Sequence, residues 1–132
     1  MNVFLKDFIN SNDILFNNLN TENTRLLINN IQKLILDWNA LFKKIIQTPE
    51  MQIRLIALFE DICLEYNILF NFFHIFIQIL NSEDIDVLSD EVLINWSKNE
   101  LSSYPTSDGE KVIEELHHKA FIQKSKKFID SL

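Results

Sequence analysis

Apolar residues recur at helical spacing along almost the whole chain. From Thr24 onward they follow alternating steps of four and three residues, which predicts one continuous helical face. The positions of this stripe are Leu27, Ile31, Leu34, Trp38, Leu41 and Ile45. Asp37 or Asn39 could divide the stretch into two helices. A coiled-coil seam is the alternative interpretation, but its strict spacing ends before a third heptad is complete, ahead of Pro49.

Capping residues mark where further helices begin. Thr48 followed by Pro49 predicts a helix that runs to about Tyr66, because Thr can accept from a free amide and Pro at the first helical position loses no hydrogen bond. Ser89, followed by two carboxylates, predicts another helix through Trp96. Short amphipathic helices are expected before Thr24, and no linker is long enough to divide the chain into domains.

The C-terminal part of the chain also reads as helix. Ser107 and Glu110 form a capping box at the entry to a helix from about Asp108 to Ser131. Its expected buried positions are Val112, Ile113, Leu116, Ala120 and Phe128. The run from Ile68 to Leu80 has ten apolar residues in thirteen, which is too short for a membrane span and predicts a helix buried on most sides. The pattern therefore predicts an all-α fold.

Composition supports a single helical domain. The chain has 132 residues, of which 47% are hydrophobic, and contains one Gly and one Cys. One domain of this size can bury a substantial core. A single Cys excludes an internal disulfide and a cysteine-rich zinc site, so a reducing compartment such as the cytosol is expected. The lack of glycines argues against a phosphate-binding loop and against tight hairpins.

The charge is concentrated in the middle of the chain. The net charge is −7, but residues 48–110 carry twelve acidic and two basic side chains and so contribute −10. Such a segment would repel nucleic acid. It predicts either a site for a basic partner or an ordinary solvated surface, and charge alone does not separate these two interpretations.

No arrangement of residues predicts covalent catalysis or metal binding. Cys63 lies on a densely apolar helix next to acidic residues, which predicts a buried structural thiol rather than a nucleophile. His117 and His118 are adjacent and therefore point about 100° apart on a helix, so they cannot share a metal from one face. We expect no cofactor and assign no catalytic residue.

Two clusters combine acidic and aromatic residues. The first contains Glu60, Asp61, Glu65 and Tyr66, and the second contains Asp84, Asp86, Asp90, Glu91 and Trp96. Carboxylates beside an exposed aromatic rim can bind lysines through ion pairing and through contact with the lysine stems. Binding one lysine-rich partner through both clusters would require them to converge on one accessible patch. In the alternative interpretation the carboxylates are solvated and Trp96 anchors the core.

The order and spacing of these clusters resemble a known family. The segments Leu36–Phe42, Phe59–Tyr66 and Asp90–Ser97 are together similar to the C-terminal HEAT-type domain with aromatic and acidic boxes. That domain occurs in the epsilon subunit of translation initiation factor 2B, in initiation factor 5 and in initiation factor 4G. Trp38 with Phe42 looks closest to the epsilon subunit, whereas Glu91–Ser97 is equally similar to factor 5.

The resemblance implies an α-solenoid of antiparallel HEAT-like helix pairs over residues 1–132, without the first two helices of the family. It also implies binding of the two clusters to lysine-rich segments of the beta subunit of initiation factor 2. In the epsilon subunit the domain promotes GDP release from the GTP-binding gamma subunit, and further exchange-factor subunits would bind through regions outside this chain. The alternative is an adaptor of the factor 5 or 4G type that docks initiation factors or a kinase without exchange activity.

Overall fold

The computed structural model describes the backbone of residues 2–98 and 108–132 and the side chains of residues 5–98 and 117–132. Within these ranges the chain is helical and contains no strand, which confirms the all-α prediction. The helices are α1 (Asn2–Ser11), α2 (Asp13–Asn17), α3 (Thr21–Ile45), α4 (Pro49–Glu65), α5 (Phe73–Asn81), α6 (Asp90–Lys98) and α7 (Asp108–Ile129), with a 3₁₀ helix at Asn67–Phe72 before α5.

The predicted caps of α4 and α6 are confirmed. The amide of Met51 donates to the Thr48 hydroxyl over 3.2 Å, and Pro49 takes the first position of α4. The amide of Val92 donates to the Ser89 hydroxyl, also over 3.2 Å. The predicted capping box of the last helix, Ser107 with Glu110, lies outside the residues whose side chains are described.

Helix α3 runs without a break through Asp37 and Asn39. The backbone hydrogen bonds of the helix therefore continue past these two residues, although Asp and Asn side chains can compete for backbone partners. The predicted stripe is buried at Leu27 and Ile31, but further along the helix the buried positions are Ile35 and Phe42, and Leu41 and Ile45 are exposed. Leu34 and Trp38 are half-buried against the core, so only the last two positions of the stripe lie outside it.

The apolar run before residue 81 is only partly the predicted helix. Residues Asn67–Phe72 form a 3₁₀ helix and the α-helix begins at Phe73. Aromatic side chains on this segment reach in two directions, since Phe72 packs against Phe16 at 5.8 Å and Phe73 packs against Phe121 at 4.6 Å between ring centroids.

The helices contact one another in two rows. Helices α3, α5 and α7 are neighbours in chain order in one row, and α4 and α6 are neighbours in the second row. Contacts of α4 with α5 and of α6 with α7 join the rows. One apolar core lies between them, and its largest fully buried side chains include Phe59, Phe73, Phe76 and Phe121.

Helix α7 buries only part of the predicted face where its side chains are described, and Phe128 packs against the core. Ala120 is exposed and Phe128 is half-buried, while His118, Phe121, Ser125 and Ile129 are buried. Val112, Ile113 and Leu116 lie outside the described side chains. Among the helices of the described ranges, none has the length and apolar character that crossing a membrane requires.

Candidate functional site

The loop between α5 and α6 is tied to both helices. The amides of Val87 and Leu88 donate to the carbonyl oxygen of Leu80 over 2.9 and 3.0 Å. The side-chain amide of Asn81 donates to the Leu88 carbonyl over 2.9 Å and to Asp90 Oδ1 over 2.7 Å. The amide of Ser89 donates to Gln52 Oε1 over 2.9 Å, which joins the loop to α4.

Apolar anchors hold the same loop against the core. Ile85, Val87 and Leu88 are buried, whereas the residues between and beside them are exposed. Asp86 has φ 51°, in the left-handed region that Asp tolerates better than most residues. Burial of every apolar residue in the loop directs its carboxylates outward.

Five exposed carboxylates result from this arrangement, and we call them the acidic loop. They are Glu83, Asp84, Asp86, Asp90 and Glu91, and residues 83–91 contain no basic residue. None of the five pairs with a Lys, Arg or His among the residues that the structure describes. The amide end of α6 partly offsets the charge of Asp90 and Glu91. The acidic loop is therefore a concentrated negative surface that a basic partner can approach.

Glu60, assigned by sequence to the first cluster, lies in the interior. Its side chain is 5% exposed, accepts from Trp96 Nε1 over 2.8 Å through one oxygen, and lies 2.9 Å from His118 Nδ1 through the other. The bonds connect α4 to α6 and α7. A carboxylate engaged on both oxygens is stabilised in the core, so Glu60 is withdrawn from the predicted surface.

Trp96 is also interior and does not form an exposed aromatic rim. Its side chain is 3% exposed, with ring centroids 5.7 Å from Phe73 and 5.6 Å from His118. This geometry agrees with the alternative interpretation, in which Trp96 anchors the core. A lysine stem at the surface cannot stack on this ring, and the predicted aromatic contribution from Trp96 is corrected accordingly.

The remaining members of the first cluster lie far from the acidic loop. Asp61 and Glu65 are exposed and Tyr66 is half-buried. Two bonds fix how α4 and α6 align, since Ser89 contacts Gln52 and Trp96 contacts Glu60. The two helices therefore run in the same direction, with the acidic loop at the Gln52 end.

This alignment separates the clusters along α4. Asp61 and Glu65 follow Gln52 by nine and thirteen residues. At about 1.5 Å per residue they lie roughly 14 and 20 Å further along the helix axis. The expectation of a single converging patch is therefore wrong, and the structure has two acidic surfaces at opposite ends of α4.

The chemistry of the remaining candidates is structural. Cys63 is buried, its thiol faces the Leu69 carbonyl at 3.6 Å, and burial, followed by the charge of Glu60, raises its pKa to about 12. Such a thiol is not a nucleophile near neutral pH. Over the described side chains, no three His, Cys, Asp or Glu residues come together as a metal site.

His118 was not identified as a partner of Glu60 by the sequence. The sequence feature that indicates a buried His118 is its spacing from Phe121 and Ser125, which places the three residues on one face of α7. Two of the three are polar, so a search for apolar residues does not select that face.

Comparisons of the chain with protein-family models, with curated proteins and with solved structures found no match.

Proposed function

We propose that this chain is a protein-interaction domain of a translation initiation guanine-nucleotide exchange factor, and that its acidic loop binds lysine-rich segments of initiation factor 2. The observation that carries the proposal is the set of five exposed carboxylates in residues 83–91, which pair with no basic residue of the described chain. The loop is ordered by its own hydrogen bonds, so a partner does not have to order it on binding.

The proposal includes the α-solenoid of HEAT-like helix pairs that the resemblance implies, and the arrangement of the helices supports it. Successive HEAT-like pairs place alternate helices in two rows, and α3, α5 and α7 contact one another in chain order opposite α4 and α6. Helices α4 and α6 also run in the same direction, as equivalent helices of consecutive repeats do.

Ion pairing is the main source of affinity in this proposal. Because Trp96 is buried, the acidic loop has no contribution from that ring to lysine binding. Exposed ion pairs are individually weak and are screened by salt, so several lysines must bind together. The partner is accordingly a segment with several closely spaced lysines, as the beta subunit of initiation factor 2 would provide.

The proposed role in GDP release requires no acid or base from this chain. Exchange is accelerated when a protein binds the nucleotide-free GTPase more tightly than the GDP-bound form. In this proposal the acidic loop holds the beta subunit, and the domain acts on the gamma subunit through that attachment. The proposed location is the cytoplasm, where translation initiation takes place.

The binding proposal is tested with a fluorescent peptide of about twelve residues that contains six lysines. A control peptide has glutamines at the lysine positions. We expect the affinity for the lysine peptide to fall by about tenfold or more between 50 and 300 mM salt, because the contacting charges are exposed. Fluorescence anisotropy measures both affinities. Equal affinity for the two peptides would contradict the proposal.

The adaptor alternative rests on the stretch Glu91–Ser97, which is as similar to factor 5 as to the epsilon subunit and begins at the acidic loop. A GDP-release assay with initiation factor 2 separates the two functions. Faster release supports the exchange role, whereas lysine-peptide binding without faster release supports the adaptor role.

A further inference from the structure

An apolar surface, different in character from the two acidic ones, lies where α3 meets α4. An apolar groove there is lined by Leu41, Phe42, Ile45, Ile46, Met51, Arg54, Leu55 and Leu58. Leu41 and Ile45 are 55% and 50% exposed, although each is a large apolar side chain. Seven of the eight lining residues are apolar, so the groove exposes a nearly continuous apolar surface to solvent.

The groove lies at the C-terminal end of α3. Leu27 and Ile31 on the same stripe are buried, and α3 packs mainly against α2 and α5. Towards the end of α3 the stripe continues at Leu41 and Ile45 without a covering helix among the described residues. Hydrophobic periodicity therefore extends past the core, which is the pattern of a helix face that another helix can cover.

The local charge is positive, unlike that of the chain. Residues 41–58, which supply all the lining residues, contain Lys43, Lys44, Arg54 and Glu50 and carry a net charge of +2, so the rest of the chain carries −9. Arg54 lines the groove and bonds to Glu50 over 3.1 Å. Lys44 lies about 60° from Leu41 around α3, at the rim of the groove.

We propose that this groove binds an amphipathic helix of a partner protein, with an apolar stripe flanked by Asp or Glu. A trough between two helices suits a third helix that inserts residues spaced by three and four positions. The basic rim selects acidic flanks, and it repels the lysine-rich segments proposed for the acidic loop. Asp37 lies one turn before Leu41, so the acidic residues of the partner should align with Lys44 rather than with the start of the stripe.

The test uses a labelled helical peptide with leucines at positions i, i+3, i+4 and i+7 and glutamates beside them. One control peptide scrambles the leucine positions, and another replaces every glutamate with glutamine. We expect the acidic amphipathic peptide to bind at least about tenfold more tightly than either control at low salt, as judged by fluorescence anisotropy. Binding by the scrambled or the glutamine peptide at equal affinity would overturn the proposal.

Matched variants locate the binding surface. The double variant Leu41→Gln/Ile45→Gln should weaken peptide binding by about tenfold or more, because two exposed apolar anchors are lost. The control Ile14→Gln/Leu26→Gln changes two exposed apolar residues elsewhere, at 83% and 39% exposure, and should leave binding unchanged. Equal effects of both variants would overturn the proposal, as would sedimentation data showing that the groove residues instead hold two copies of this chain together.

Discussion

Replacing Glu60 with Ala is expected to lower the free energy of unfolding by about 3–5 kcal/mol, although Glu is ordinarily a surface residue. The substitution leaves Trp96 Nε1 and His118 Nδ1 without their shared partner inside the core. Because Trp96 and His118 are 3% and 1% exposed, water cannot replace the lost carboxylate without opening the packing. The loss should loosen α6 and α7 from α4 together.

Urea denaturation followed by circular dichroism measures this effect. Glu60→Gln is the conservative variant, because its amide oxygen can still accept from Trp96, and we expect it to lose about 1–2 kcal/mol. Glu91→Ala is the control on exposed helix surface and should change stability by less than about 0.5 kcal/mol. If the free energy of unfolding of Glu60→Ala lies within about 1 kcal/mol of that of the unsubstituted protein, the buried network does not hold the three helices together.

Neutralising four of the five carboxylates of the acidic loop is expected to weaken binding to lysine-rich peptides while leaving the fold intact. The variant changes Asp84, Asp86 and Asp90 to Asn and Glu91 to Gln. At about 0.2–1 kcal/mol for each exposed ion pair, the four changes should weaken binding by about fourfold to a thousandfold at low salt. Stability should stay within about 1 kcal/mol, since Asn at position 90 keeps an oxygen that can accept from Asn81.

A matched variant separates local binding from net charge. Asp7, Asp13, Glu22 and Asp37 are also four exposed carboxylates, and they lie in the first 47 residues. Changing them to Asn or Gln removes the same charge elsewhere and should reduce peptide binding much less. Equal losses in the two variants would mean that the peptide responds only to overall charge, and undiminished binding in the first variant would exclude the acidic loop as the site.

Local patterns in the sequence predict the helix starts well. The Thr48 and Ser89 caps depend on hydrogen bonds three residues away, so the relevant partners are visible in the chain. The acidic loop can be predicted from the sequence for a similar reason, because its carboxylates lie close together along the chain. Solvent exposure is the expected state of charged residues that have no buried partner.

The buried position of Glu60 depends on distant parts of the chain. Trp96 lies 36 residues away and His118 lies 58 residues away, and no local spacing reveals that they meet. The same limitation applies to the exposed end of the α3 stripe, because periodicity identifies an apolar face but not the length of the neighbours that cover it. Sequence also cannot give the distance between the two acidic clusters, which follows from how α4 and α6 align.

Nuclear magnetic resonance locates lysine-peptide binding on the chain residue by residue. Isotope-labelled protein is titrated with the six-lysine peptide at low salt, and backbone amide shifts are followed. We expect the largest changes at residues 83–91, with smaller changes around Asp61 and Glu65 at the far end of α4. Shifts that are absent from residues 83–91, or that are largest in the groove between α3 and α4, would contradict the assignment of the acidic loop as the binding site.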